Sequence, residues 1–272
     1  MRIALGLEYD GDAFTGWQTQ PDGRGVQDAL ERVLEAIATK PTPTICAGRT
    51  DTGVHAFDQV VHFDTDAVRP LNAWVRGVNG LLPQSMAVRW AREVPATFHA
   101  RFGALRRTYD YWILNDPVRS PLALARAGWV FRPLDADAMH EAATHLVGRH
   151  DFTSFRSAEC QAASPVRELR ELSVVRRGRL IRVRASANAF LHHMIRNIVG
   201  TLVYVGLGRH DPAWAAEVLE ARDRSRAAPT FSPAGLYLAR VEYDPSFLLP
   251  APSTTVPAWL DAYPDQDLRT DP

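Results

Sequence analysis

The sequence predicts an α+β protein assembled from two similar halves, and three observations carry that prediction. Strand-like and helix-like patterns follow one another in the order βαββαβ, and from about residue 108 that order starts again. The chain has 272 residues, room for two domains at about 150 residues each, and its 46% hydrophobic and 23% charged content is that of an ordinary folded protein. Its longest apolar stretch, 198–207, is too short to span a bilayer and contains Gly200 and Gly206.

In chain order, residues 3–9 (IALGLEY) read as a strand, and Val26, Leu30, Val33, Leu34 and Ile37 keep helical spacing. Short β-rich runs at 44–48 and 59–63, a helical segment from Pro70 to about Leu82 and a strand at 86–93 complete the first half. The second half reads as strand 108–114, helix 137–147 capped by Asp135, strands 168–176 and 180–187, helix 190–207 and strand 236–243. An additional helix at 212–221 starts at Asp211-Pro212. Two such units predict ferredoxin-like halves, residues 1–105 and 106–245, with antiparallel sheets flanking a central cleft. Residues 246–272 form a Pro/Asp-rich tail.

Cys46 and Cys160 form no CxxC, so neither a disulfide framework nor a thiolate metal site is expected. The apolar run at the N-terminus is too short for a secretory segment and soon meets Glu8 and Asp10, so a cytoplasmic protein is expected. The formal net charge of zero is an average. Residues 101–210 carry 17 basic and 9 acidic side chains, net +8, between segments of net −3 and −5. Of the 31 basic residues only Lys40 is lysine, which makes planar, bidentate phosphate donors abundant in the basic middle.

Between the strands near Ile45 and Val60 runs Ala47-Gly-Arg-Thr-Asp-Thr-Gly-Val-His-Ala56, two glycines bracketing a single carboxylate at Asp51. A tight connection with locally bonded Asp and Thr side chains is one reading. An aspartic protease is another, since Asp51-Thr52-Gly53 is a DTG triplet, but that chemistry needs two carboxylates sharing a proton and no second triplet occurs.

The loop resembles the catalytic loop of tRNA pseudouridine synthases of the TruA family. Further segments resemble that family's motifs in the same order: Tyr9-Asp-Gly-Asp-Ala-Phe-Thr-Gly-Trp-Gln18, Phe98-His-Ala-Arg-Phe102, Arg107-Thr-Tyr-Asp-Tyr111, Asp151-Phe-Thr-Ser-Phe-Arg156, Asn188 to Gly200 and Gly235-Leu-Tyr-Leu238. Phe14 stands where many members carry Tyr. The resemblance implies a cofactor-free isomerase that flips uridines 38–40 of the tRNA anticodon stem-loop into a cleft and works as a homodimer, with no metal. Flipping costs about a few kcal/mol. The resemblance makes Asp51 the nucleophile, attacking sugar or base or assisting a glycal route, Arg196 the cation that keeps it ionised, and Tyr109 the ring against the uracil. The Tyr109 hydroxyl is a candidate acceptor for the proton leaving the base carbon. It also implies that Arg49 fills the gap left by the base or contacts its phosphate, and that Leu236 packs on the uracil.

The residues add their own pattern. On the predicted helix 190–207, Leu191, Ile195, Ile198 and Leu202 form an apolar row, and Arg196 lies off it with His192 and His193 at i−4 and i−3 as a polar, substrate-binding flank. Adjacent histidines on a helix point apart and no HxxxH spacing occurs, so a metal site is not expected. Ile181 and Val183 alternate with Arg182 and Arg184, which places the arginines outward; with Arg106, Arg107 and Arg156 they make a candidate phosphate track.

Overall fold

The computed structural model describes residues 1–251. Its elements are β1 (Arg2–Tyr9), α1 (Val26–Ala38), β2 (Ile45–Cys46), β3 (His55–Asp64), β4 (Met86–Val94), β5 (Arg106–Asn115), β6 (Gly128–Val130), α2 (Ala136–Thr144), β7 (Gly148–Asp151), β8 (Val166–Arg177), β9 (Leu180–Ala187), α3 (Met194–Gly206), α4 (Trp214–Ala221) and β10 (Leu236–Glu242). The protein is α+β with mixed strand pairing, and it divides into two compact units. Of the described residues, unit 1 takes Met1–Arg107 and 237–251, and unit 2 takes Thr108–Leu236. The sequence assigned the last strand to the second half, whereas β10 lies in unit 1, pairing parallel with β3 through Tyr237 opposite His55 and Leu238 opposite Ala56. Of the predicted tail, residues 252–272 lie outside the described residues.

In unit 1 the strand order is β4-β1-β3-β10, with β2 on β3. β1 runs antiparallel to both neighbours, Arg2 opposite Asp64 on β3 and Val94 on β4. Lying between them, β1 buries Ile3, Leu5 and Leu7 fully. The helical spacing read in the sequence is the buried stripe of α1: Val26, Leu30, Val33 and Leu34. The segment predicted to be a helix from Pro70 contains a π-helical turn, Ala73–Gly77, whose Trp74 meets Phe63 edge-on at 5.2 Å. The β-rich run at 44–48 shrinks to the two residues of β2, because from Ala47 onward the chain turns into the loop.

Unit 2 has the order β5-β9-β8-β7, with β6 parallel to β5. β8 and β9 form a hairpin closed by Gly178 at φ +53°. As predicted, Asp135 caps α2, its Oδ1 accepting from the N–H groups of Asp137 and Ala138. α3 is buried on nearly every side. It starts four residues later than its apolar pattern suggests, because His193 adopts the left-handed conformation (φ +62°) and the first helical bond runs from Asn197 N–H to the His193 carbonyl. Leu191, His192 and His193 therefore precede the helix. Both cysteines are free and buried, and no described helix is long and apolar enough to cross a membrane.

Candidate active site

In unit 1, loop 47–54 is fixed along its length by side chains of Arg107, Gln59 and Tyr9 and by backbone groups of Val60 and Trp17. Ala47 N–H donates to the Val60 carbonyl at 2.8 Å, tying the loop to β3. The Ala47 carbonyl accepts from Arg107 Nε at 3.2 Å and Nη2 at 2.8 Å. Gln59, fully buried on β3, reaches back with its amide, donating to the Gly48 carbonyl at 2.6 Å and accepting from Gly48 N–H at 3.4 Å. Thr50 Oγ1 bonds to Tyr9 Oη at 2.8 Å, and the Thr50 carbonyl accepts from Trp17 N–H at 2.9 Å. Val54 N–H closes the turn on the Asp51 carbonyl at 3.1 Å.

The first sequence motif is thus the bed of the loop. Gly16 sits at φ +92°, and a Cβ there would lie 3.1 Å from the Thr50 carbonyl oxygen and 3.2 Å from Thr52 N. A Cβ on Gly11 would lie 2.0 Å from the Val54 carbonyl oxygen. Phe14, with no hydroxyl to place, packs edge-on to Tyr9 at 6.3 Å. His55 Nδ1 accepts from Gly11 N–H at 3.1 Å, and its ring stacks on Tyr237 at 4.5 Å. What the bed presents is a half-exposed Asp51 flanked by an exposed Arg49. Among the described residues no carboxylate pairs with Arg49. Cys46, at the loop's entrance, has its thiol pushed up to about 12 by burial, against the nearby charges of Arg49, Arg101 and Arg107.

Unit 2 gathers Arg196 and Leu236 around segment 231–236. Arg196 Nε donates to the Phe231 carbonyl at 2.9 Å, and Phe231 N–H returns a bond to the Arg196 carbonyl at 3.2 Å. Tyr111 Oη donates to the Ser232 carbonyl, Trp112 N–H to the Gly235 carbonyl, and Leu236 N–H to the Pro233 carbonyl. Tyr109 meets Phe190 edge-on at 5.2 Å. His192 and His193 do not point apart as helical neighbours would: their rings are 4.0 Å apart, tilted by 39°. Ser157 N–H donates to the His192 carbonyl at 3.0 Å, which brings His192 to the segment that carries Arg156.

The arginines of the expected phosphate track are not equivalent. Arg107 is buried and donates to the carbonyls of Ala47, Arg101 and Ala104, so these donors hold backbone. Arg184 makes a bidentate pair with the fully buried Asp110, both bonds 2.7 Å, and its charge is already matched. Arg156 donates to the Cys160 and Ala162 carbonyls, and Arg106 faces Glu242 at 3.8 Å. Arg182 lies with its guanidinium 5.9 Å from the Trp112 ring centre. Tyr9 and Asn197 lie in quoted motifs without a role of their own, and Gln59 lies in none. Asn197 is fully buried; its Nδ2 donates to the Phe155 carbonyl, and its Oδ1 accepts from Arg224 and Thr230. A lone amide in an apolar helix, as Asn197 is in α3, was the available signal.

Comparison with known proteins gives one answer. A family described as tRNA pseudouridine synthase matches residues 7–103 and 142–244. The tRNA pseudouridine synthase A of Burkholderia thailandensis is 57% identical over 269 residues, 99% of this chain and 100% of that protein. The proteins of that name from Burkholderia mallei and Paraburkholderia phymatum are 57% and 55% identical over 270 and 264 residues, 99% and 97% of this chain and 100% and 99% of theirs. The chain belongs to the tRNA pseudouridine synthase family, the isomerases of the TruA type.

Proposed function

We propose that this synthase isomerises uridines 38–40 of the tRNA anticodon stem-loop, with Asp51 as its nucleophile. The observation that supports the Asp51 role is the loop itself: a carboxylate presented half-exposed on a backbone that Gln59, Tyr9, Trp17 and Arg107 hold in one conformation. Such pre-organisation is what a nucleophile needs and what a mere connection does not.

In this reading the C1′–N1 bond of the flipped uridine breaks, the uracil turns, and C1′ bonds to C5. The C5 proton leaves and N1 gains one. Nothing is added or removed, so no cofactor is required. The role of Arg196 is to keep Asp51 ionised against desolvation, and that of Tyr109 is to stack on the base and take the C5 proton. Leu236 packs on the uracil, Arg49 compensates for the flipped base, and Arg156, Arg182, His192 and His193 contact the RNA. We further read the two units as ferredoxin-like halves flanking a cleft, and the active form as a cytoplasmic homodimer. The order β4-β1-β3-β2 in unit 1 supports the first of these.

The test of substrate position is chemical mapping of pseudouridine in an unmodified tRNA carrying uridines at 38, 39 and 40 as well as in the D and T arms. Modification confined to 38–40 is expected; modification elsewhere, with those positions untouched, would overturn the assignment.

A further inference from the structure

The segment Phe98-His-Ala-Arg-Phe102 takes no part in the reaction above, yet unit 1 commits several buried groups to holding it. Phe98 is fully buried, 5.0 Å from the Tyr243 ring and 5.1 Å from Phe247. Ala100 N–H donates to buried His62 Nδ1 at 3.1 Å, and Tyr243 Oη donates to the Ala100 carbonyl at 2.7 Å. His99 Nδ1 accepts from the N–H groups of Arg101 and Phe102, and Gly103 N–H closes on the His99 carbonyl. Arg107 holds the Arg101 carbonyl with the same guanidinium that holds Ala47. The turn and the Asp51 loop are therefore fixed to one clamp.

What this bracing presents outward is an aromatic ring and a cation. Phe102 is 79% exposed, so the fold gains almost nothing from its apolar surface. Its ring lies 4.5 Å from the His99 ring, and the Arg101 guanidinium carbon is 5.6 Å from its centre. Among the described residues no carboxylate pairs with Arg101 or with Arg49, and both charges act on the Cys46 thiol at the entrance of the Asp51 loop. A guanidinium with no carboxylate partner beside an exposed ring complements a stacked base with its phosphate.

We propose that turn 99–103 is a nucleotide subsite for the RNA substrate, in which Phe102 stacks on a base other than the reacting uridine and Arg101 pairs with its phosphate. This rests on RNA being the substrate. The test measures tRNA Kd, KM and kcat for the full chain and for Phe102→Ala, Phe102→Trp and Arg101→Ala. Phe102→Ala is expected to raise Kd and KM about tenfold with kcat little changed, and Phe102→Trp to restore both. Arg101→Ala is expected to flatten the slope of log Kd against log salt by about 0.7 to 0.9. Unchanged Kd in Phe102→Ala overturns the subsite. So does a variant whose tRNA affinity is normal but whose mass in solution shifts, since the ring then serves a protein partner. If the wild type binds tRNA without isomerising it, the proposed function falls, while the ratio of Kd values still decides the subsite.

Discussion

Arg107 donates through both Nε and Nη2 to the carbonyl of Ala47, 60 residues earlier in the chain, and so fixes the first residue of the Asp51 loop. The same guanidinium also donates to the carbonyls of Arg101 and Ala104. Arg107→Lys keeps the charge but loses the planar fork. It is expected to lower kcat about a hundredfold while KM for tRNA stays within a few-fold, because a loop displaced by about 1 Å spoils attack and not binding. A raised KM, an unchanged kcat and a shallower salt dependence would return Arg107 to the phosphate track.

Gly16 tests the bed of the same loop from the other side. Ala at φ +92° costs about 1 to 2 kcal/mol of backbone strain, and its Cβ would press on Thr50 and Thr52. Gly16→Ala should fold with a slightly lower Tm and lose most of its turnover. Normal kcat in that variant would mean that the loop does not need this contact.

These two positions show what the sequence disclosed and what it hid. The Asp51 loop, α1 and the Asp135 cap were legible because local spacing and capping chemistry carry them. The assignment of β10 to unit 1 was hidden, since a parallel pairing 182 residues from its partner leaves no local mark. Alternation along β9 correctly marked Ile181 and Val183 as buried, but alternation cannot reveal that Arg184 faces a carboxylate on β5. The start of α3 was misplaced because an apolar row continues through His192 and His193, whereas the left-handed φ of His193 is a backbone fact that side-chain pattern does not encode.

The Asp110–Arg184 pair gives an energetic prediction. Arg184→Ala strands a fully buried carboxylate and is expected to cost about 3 to 5 kcal/mol, read from urea melts. Asp110→Asn combined with Arg184→Met should recover most of that loss. A single substitution costing less than about 1 kcal/mol would mean that the pair contributes nothing to the fold.

Stability against pH carries two opposed contributions in unit 1. Burial raises the Asp58 carboxyl to about 6, against the Val241 N–H it accepts and the Arg240 charge. Its folded pKa exceeds the unfolded value near 3.9, so its contribution is full below about pH 4 and is lost as pH rises through 6. Burial lowers His62 to about 4, helped by the Arg2 charge, so its contribution is full above 6.5 and is lost as pH falls through 4. Asp58→Asn should therefore gain about 2 to 3 kcal/mol over wild type at pH 7 and nothing at pH 4, and His62→Asn should change the slope in the opposite sense. Parallel curves for Asp58→Asn and wild type between pH 4 and 7 would contradict the assignment.

The most direct test of the account is release of the C5 hydrogen isotope from labelled, unmodified tRNA, without added metal or nucleotide, by wild type and Asp51→Asn. Wild type is expected to release label while Asp51→Asn releases none and binds tRNA within about tenfold of wild type, since phosphate contacts dominate affinity. Release at the wild-type rate by Asp51→Asn would contradict the account, because the loop held by Gln59, Tyr9 and Arg107 would then not carry the nucleophile.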